Sequence, residues 1–139
     1  MAIFTLTDAT IIINGVTLSD HANEVSIVDT RDSKDITAFG ATSKAVMKGL
    51  GDASINVTLF QDFAAGKTHA TLQPLIASTT PVNVEVRATS GGRSTTNPAA
   101  LLSSLLMNYS MLDGAVGEPT QIKAEFVNAA QAGMTYPTA

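Results

Sequence analysis

Ala53-Ser54-Ile55-Asn56-Val57-Thr58-Leu59-Phe60 alternates apolar and polar side chains at nearly every step. A period of two is the pleat of a half-buried strand, so Ile55, Val57 and Leu59 face a core and Ser54, Asn56 and Thr58 face away. The same rhythm recurs along the chain. Thr10 to Asn14 is β-branched and apolar, and Asn14-Gly15 is a strong hairpin signal, with Val16-Thr17-Leu18 as the returning arm. Glu24 to Thr30 alternates with Val25 and Ile27 on one face. After Pro81, the valines Val82, Val84 and Val86 oppose Asn83, Glu85 and Arg87. Leu101 to Leu112 is a less regular apolar strand or pair of strands, and Gln121 to Val127 sets Ile122, Ala124 and Phe126 against Gln121, Lys123 and Glu125.

One segment departs from this rhythm. Thr68 to Ala77 places Ala70, Leu72, Leu75 and Ile76 at helical spacing, with Pro74 inside, so a brief or kinked helix is expected. The 139 residues are the size of one domain, expected to span 1–139. Two stretches lie outside the compact pattern. Residues 31–52 form a long loop or extended hairpin, mixing Arg31, Asp32, Lys34, Asp35, Lys44 and Lys48 with Ile36, Phe39, Val46, Met47 and Leu50. Residues from about 129 to 139 are expected to lie extended on the surface.

Composition narrows the function classes. Hydrophobic residues make up 45% of the chain, enough for a core, but only 14% are charged against about 25% in an average domain. A polar, weakly charged surface suits contact with other copies better than a solitary life in solution. The net charge of −4 opposes tight nucleic-acid binding. With no cysteine, disulfides, thiolate metal sites and cysteine nucleophiles are excluded. The N-terminus lacks the basic start and apolar run of a signal peptide, and no apolar stretch is long enough to span a bilayer, so a cytoplasmic origin is expected.

No catalytic, cofactor or metal residues are assigned. Gly66-Lys67-Thr68 resembles the end of a phosphate-binding loop, but Gln61 stands where that motif requires glycine. His21 and His69 have no paired ligand spacing and read as surface or capping residues. Asp29, Asp32 and Asp35 interleave with Arg31 and Lys34, the pattern of a solvated hairpin face rather than a calcium loop. No nucleophile elbow occurs.

Beyond these readings, the run Asp35-Ile36-Thr37-Ala38-Phe39-Gly40, followed by Gly49 to Val57, resembles the tail tube (major tail) proteins of long-tailed bacteriophages. Phe60-Gln61-Asp62-Phe63-Ala64-Ala65-Gly66 with Ala70-Thr71-Leu72-Gln73-Pro74-Leu75 is the most distinctive part; Leu18-Ser19-Asp20-His21 and Thr96-Asn97-Pro98 also fit. The chain departs from the pattern at Gln73, where a large residue is expected. The resemblance covers about Ile11 to Phe126. It implies a mostly β fold, a β-sandwich or partial barrel with one short flanking α-helix and a long inter-strand loop. It further implies six copies per ring, sheets joined into an inner barrel, and rings stacked into a tube through which the genome passes into the host. No cofactor is implied. The implied partners are identical copies and other tail proteins such as tape measure and terminator, with DNA passing without specific binding and no membrane involved. The implied location is the virion tail, assembled in the bacterial host cytoplasm.

On this basis Arg31, Asp32, Lys34, Asp35, Ile36, Phe39, Lys44, Met47 and Lys48 are candidates for contact between subunits or rings. Glu24, Ser26, Ser54, Asn56 and Thr58 are candidates to face the channel, since small uncharged or acidic groups let DNA slide past. Alternatives are another phage structural component (a head decoration or tail-completion protein) or a ligand-binding β-sandwich module. Scattered aromatics count against the last.

Overall fold

Asn14 and Gly15 both take positive φ, 50° and 81°, the primed turn whose twist matches that of the flanking strands. It folds β1 (Thr10–Ile13) back on β2 (Val16–Thr17), with Ile13 opposite Val16. The computed structural model describes residues 3–139. Five further strands follow: β3 (Ala22–Asp35), β4 (Val46–Phe60), β5 (Val82–Arg87), β6 (Ala99–Tyr109) and β7 (Gln121–Asn128). Among the described residues one helix, α1 (Thr68–Ile76), lies between β4 and β5.

All pairings are antiparallel, in the order β2-β1-β5-β6-β7-β4-β3. The expected mostly β fold with one flanking helix is the fold adopted, and its strands are hydrogen-bonded into one continuous sheet. That sheet curves enough for its ends to approach: Ile12 and Thr17 from one end, with Ala22 and Val25 of β3 from the other, line a common cavity of about 750 Å³.

The core lies on one side of the sheet. Ile55, Val57 and Leu59 of β4 are buried with Ile11, Ile13, Val84, Leu102, Ile122 and Phe126. Each such side chain stabilises by roughly 1.5–3 kcal/mol relative to exposure. α1 covers this layer with Leu72 and Leu75.

Three details differ from the expected pattern. The helix buries Thr68, Thr71, Leu72 and Leu75, while Ala70 and Ile76 are exposed. Threonine holds two stripe positions because its hydroxyl finds a backbone carbonyl: Thr68 donates to Phe60 O at 3.0 Å and Thr71 to Lys67 O at 2.8 Å. On β5, Glu85 belongs to the buried set rather than to a solvated face. Its carboxylate is ion-paired by both Arg87 and Arg93, which offsets its desolvation. On β3, Ile27 remains 38% exposed although it sits opposite fully buried Ile55. Among the described residues no strand lies beyond β3 to cover it, since β3 is the edge of the sheet.

Residues 129–139 do not drift free of the sheet. Thr135 and Pro137 bond to the start of β6: Leu101 N donates to Thr135 O at 2.9 Å and Ala99 N to Pro137 O at 3.0 Å. Met134 is buried beneath this strap.

Candidate assembly surface

Most of residues 31–52 is strand. β3 runs to Asp35 and β4 starts at Val46, so only residues 36–45 form the connecting loop. The ladder holds to the end, with Ser33 opposite Lys48, Lys34 opposite Met47 and Asp35 opposite Val46, after a bulge between Arg31 and Ser33. Ala53 is the first buried residue of β4, and from there to Val46 the paired strands project about 23 Å at roughly 3.3 Å per residue. The result is an arm, stiff because it is paired and exposed because none of the other described residues buries it.

The arm carries all the candidate contact residues. Ile36, Phe39, Val46, Met47 and Leu50 are exposed, Phe39 and Leu50 almost completely. Arg31, Asp32, Lys34, Lys44 and Lys48 are exposed beside them. The loop is ordered by its own polar groups: Asp35 accepts from Thr37 N at 2.9 Å, and Ala45 N donates to Thr37 Oγ1 at 2.8 Å. The Thr37 N–H holds the Asp35 carboxyl below its usual range.

At the root of the arm, Gly51 lies opposite Arg31. A Cβ at this position would run into the Arg31 guanidinium, so glycine lets that side chain lie across the pair. Arg31 donates to Asp29 at 2.8 Å, and Tyr136 of the C-terminal strap donates its hydroxyl to the other Asp29 oxygen at 2.6 Å. The Tyr136 hydroxyl and then Arg31 hold Asp29 low, while Asp29 pushes the Tyr136 phenol up. Sequence reasoning missed this tie, and the 107 residues between its partners leave no local signal for it.

The five candidate channel residues come together on one face. Glu24 sits opposite Thr58 and Ser26 opposite Asn56, while Ser54 faces Val28. β7 continues the face with Glu125 opposite Asn56 and Lys123 opposite Thr58. None of the five is buried, since they alternate with the core residues of β4 or stand on the exposed edge strand. The outer edge of β3 has no partner strand among the described residues, whereas the opposite edge is the two-residue β2.

The two histidines are structural. His21 bridges two carboxylates, Nδ1 to Asp20 and Nε2 to Asp62, each at 2.8 Å. Asp20 and then Asp62 push its pKa up; in turn His21 lowers Asp20, and the Ala64 N–H followed by His21 lowers Asp62. His69 on α1 bonds the Tyr109 hydroxyl at 2.7 Å and fastens the helix to β6. Gly66-Lys67-Thr68 leads from an antiparallel strand into α1, outside the parallel unit a phosphate loop requires. Among the described residues, no group of three or more His, Asp or Glu is disposed to hold a metal ion. Nor, among those residues, is any helix long and apolar enough to cross a membrane.

No protein-family model matches the chain, and no curated protein matches its sequence. Solved structures do match. A chain in the virion of a native gene transfer agent particle superposes with a TM-score of 0.73 at 11% identity, covering 94% of this chain and 95% of that one. The SPP1 tail tube superposes with a TM-score of 0.71 at 11% identity, covering 95% and 77%. This is a tail-tube fold. A third match, the tail of an empty gene transfer agent particle with C6 symmetry, has a TM-score of 0.66 at 11% identity and covers 84% and 82%.

Proposed function

We propose that this chain is a non-enzymatic structural subunit of a phage-type tail, six copies forming a ring and rings stacking into a tube for genome passage. The observation that carries this reading is the 14-residue outer edge of β3, which has no partner strand among the described residues, on a chain with a tail-tube fold. An unpaired edge of that length is an aggregation hazard unless another copy covers it, and a closed ring removes it. The two edges differ in length and sequence, which favours head-to-tail pairing over a symmetric dimer. The C6 symmetry of the gene transfer agent tail supports six as the number.

In this reading the Glu24, Ser26, Ser54, Asn56 and Thr58 face lines the channel, where a near-neutral to acidic wall gives phosphates little to bind. The arm from Arg31 to Lys48 contacts a neighbouring copy. Tape measure and terminator proteins are the further partners, the virion tail is the location, and assembly takes place in the host cytoplasm. The test is negative-stain microscopy of the purified protein at rising concentration, which should show six-fold rings and tubes with an axial channel. A species that stays monomeric throughout would overturn the proposal. The SPP1 Dit protein also superposes, with a TM-score of 0.52 over 90% of this chain and 51% of that one, which favours a second reading as another tail component. Single rings that never stack would select it.

A further inference from the structure

The distribution of charge along β3 is uneven. Residues 36–48 at the arm tip contain Lys44 and Lys48 and no acidic residue, a charge of +2 in a chain of net −4, so the remainder carries −4 − 2 = −6. Val46 and Met47 between those lysines, and Ile36 and Phe39 across the loop, are exposed and apolar, with Phe39 the most exposed, beside the small polar Thr37, Thr42 and Ser43. The tip is therefore a basic, hydrophobic plug.

A complementary recess lies at the other end of the same strand. The 750 Å³ cavity between the segment before β1 and the start of β3 has Leu6, Ile12 and Val25 on its apolar wall and Asp8, Asp20 and Glu24 around it. All three carboxylate residues are exposed; Asp20 is already held by His21 Nδ1 at 2.8 Å and Asp8 accepts from Ser90 Oγ at 3.1 Å, so Asp8 and Glu24 supply most of the charge open to a cation. Arg87 also lines the cavity, but its guanidinium is already paired with Glu85. The cavity thus matches the tip in both polarity and sign of charge.

A chain cannot seat its own tip. From Val25 to Ile36 the strand extends about 36 Å at roughly 3.3 Å per residue. The arm is a paired ladder, and the two features sit at its opposite ends. We propose that the arm tip of one copy, led by Phe39, docks into this cavity of the next copy, with Glu24, the end residue of the channel face, at the rim between channel and recess. Lys44 and Lys48 then face its carboxylates. The contact is head-to-tail: each copy offers one plug and one recess, so it repeats without limit along the direction of β3. Successive copies are offset by about 36 Å, the distance between plug and recess. This inference rests on the reading that the chain self-assembles, and it names the partner surface for the arm.

The test uses the full chain, which has no cysteine of its own. Two single-cysteine variants, Ala41→Cys at the tip and Asn23→Cys beside the cavity, are mixed and oxidised. Random collision in an equimolar mixture already gives two heterodimers for each homodimer of either kind, so docking predicts heterodimers well above that twofold ratio, and a ratio at or below twofold would overturn it. In parallel, K44E/K48E should raise the concentration needed for assembly at least about tenfold, because like charges then meet at the contact. Combining it with D8K/E24K should restore assembly. If wild type forms tubes and K44E/K48E forms them equally well, the docking is wrong while the tail reading stands. If wild type never assembles, the tail reading falls and the docking falls with it. Should D8K/E24K fail to fold by circular dichroism, the cysteine mixture still decides.

Discussion

β4 offers two large aliphatic residues on one strand, one within the domain and one on the arm, and their truncations should have very different costs. Ile55 is fully buried, and Leu50 is 83% exposed. Ile55→Ala removes three carbons from the centre of the core, where Val57, Phe126 and Ile11 belong to the same cluster and cannot close the gap completely. Leu/Ile→Ala truncations of this kind cost about 2–5 kcal/mol, and full burial puts this one at about 3–4 kcal/mol. Leu50→Ala loses only exposed surface and some strand propensity, less than about 1 kcal/mol. At about 4 °C per kcal/mol for a chain of this size, Ile55→Ala should melt about 12–16 °C below wild type and Leu50→Ala within about 4 °C of it. The assay is thermal unfolding followed by circular dichroism on dilute, unassembled protein, since assembly would itself raise the melting temperature. Melting points within a few degrees of each other, or a larger loss for Leu50→Ala, would refute the division of β4 into a core half and a free-standing arm.

Two further outcomes are expected. Glu85→Ala leaves Arg87 largely buried without its counter-charge and should cost about 3 kcal/mol, the low end for breaking a buried pair because the Arg87 side chain keeps 17% exposure. In urea titrations Glu85→Met/Arg87→Met should recover part of that loss, whereas a double variant worse than the single one would contradict the account. The His21 clamp should give a pH-dependent contribution to stability. His21 is raised above its ordinary 6.5, so its contribution is complete below pH 6.5 and is lost as pH climbs through the higher folded value; Asp20 and Asp62 are lowered from 3.8, so theirs is present above pH 3.8 and is lost on further acidification. The melting difference between wild type and His21→Gln should therefore peak between about pH 4 and 6.5, and a flat difference would dismiss the clamp.

The parts of the fold legible in the sequence are those written in local periodicity. Alternation from Ala53 to Phe60 and from Gln121 to Val127, and the Asn14-Gly15 turn, each encode their own geometry over a few residues. Where a buried position is polar, the pattern misleads. Thr68 and Thr71 complete the helix stripe and Glu85 enters the core, each because a distant group satisfies it. The assembly surface was half legible. Exposed Phe39 and Met47 among charges marked the arm, but its length depends on the ladder across residues 36–45. The acidic cavity draws on the segment before β1, β2 and β3, which share no local pattern. Likewise Tyr136 gives no hint that its partner is Asp29.

The spacing of pairings along the chain also sets a timetable. β3 and β4 meet across a ten-residue loop and, as a hairpin, close in microseconds. β1 must wait for β5, because Ile11 pairs with Val86, and closing that span carries a larger entropic barrier. A ribosome adding 5–20 residues per second takes roughly one to five seconds to pass from Phe60 to Arg87. During that interval the nascent chain displays a finished arm on an unfinished domain. Lys44 and Lys48 flank the exposed Val46-Met47 pair on that arm, the placement of charge beside apolar strand surface that in general discourages association of incompletely folded chains.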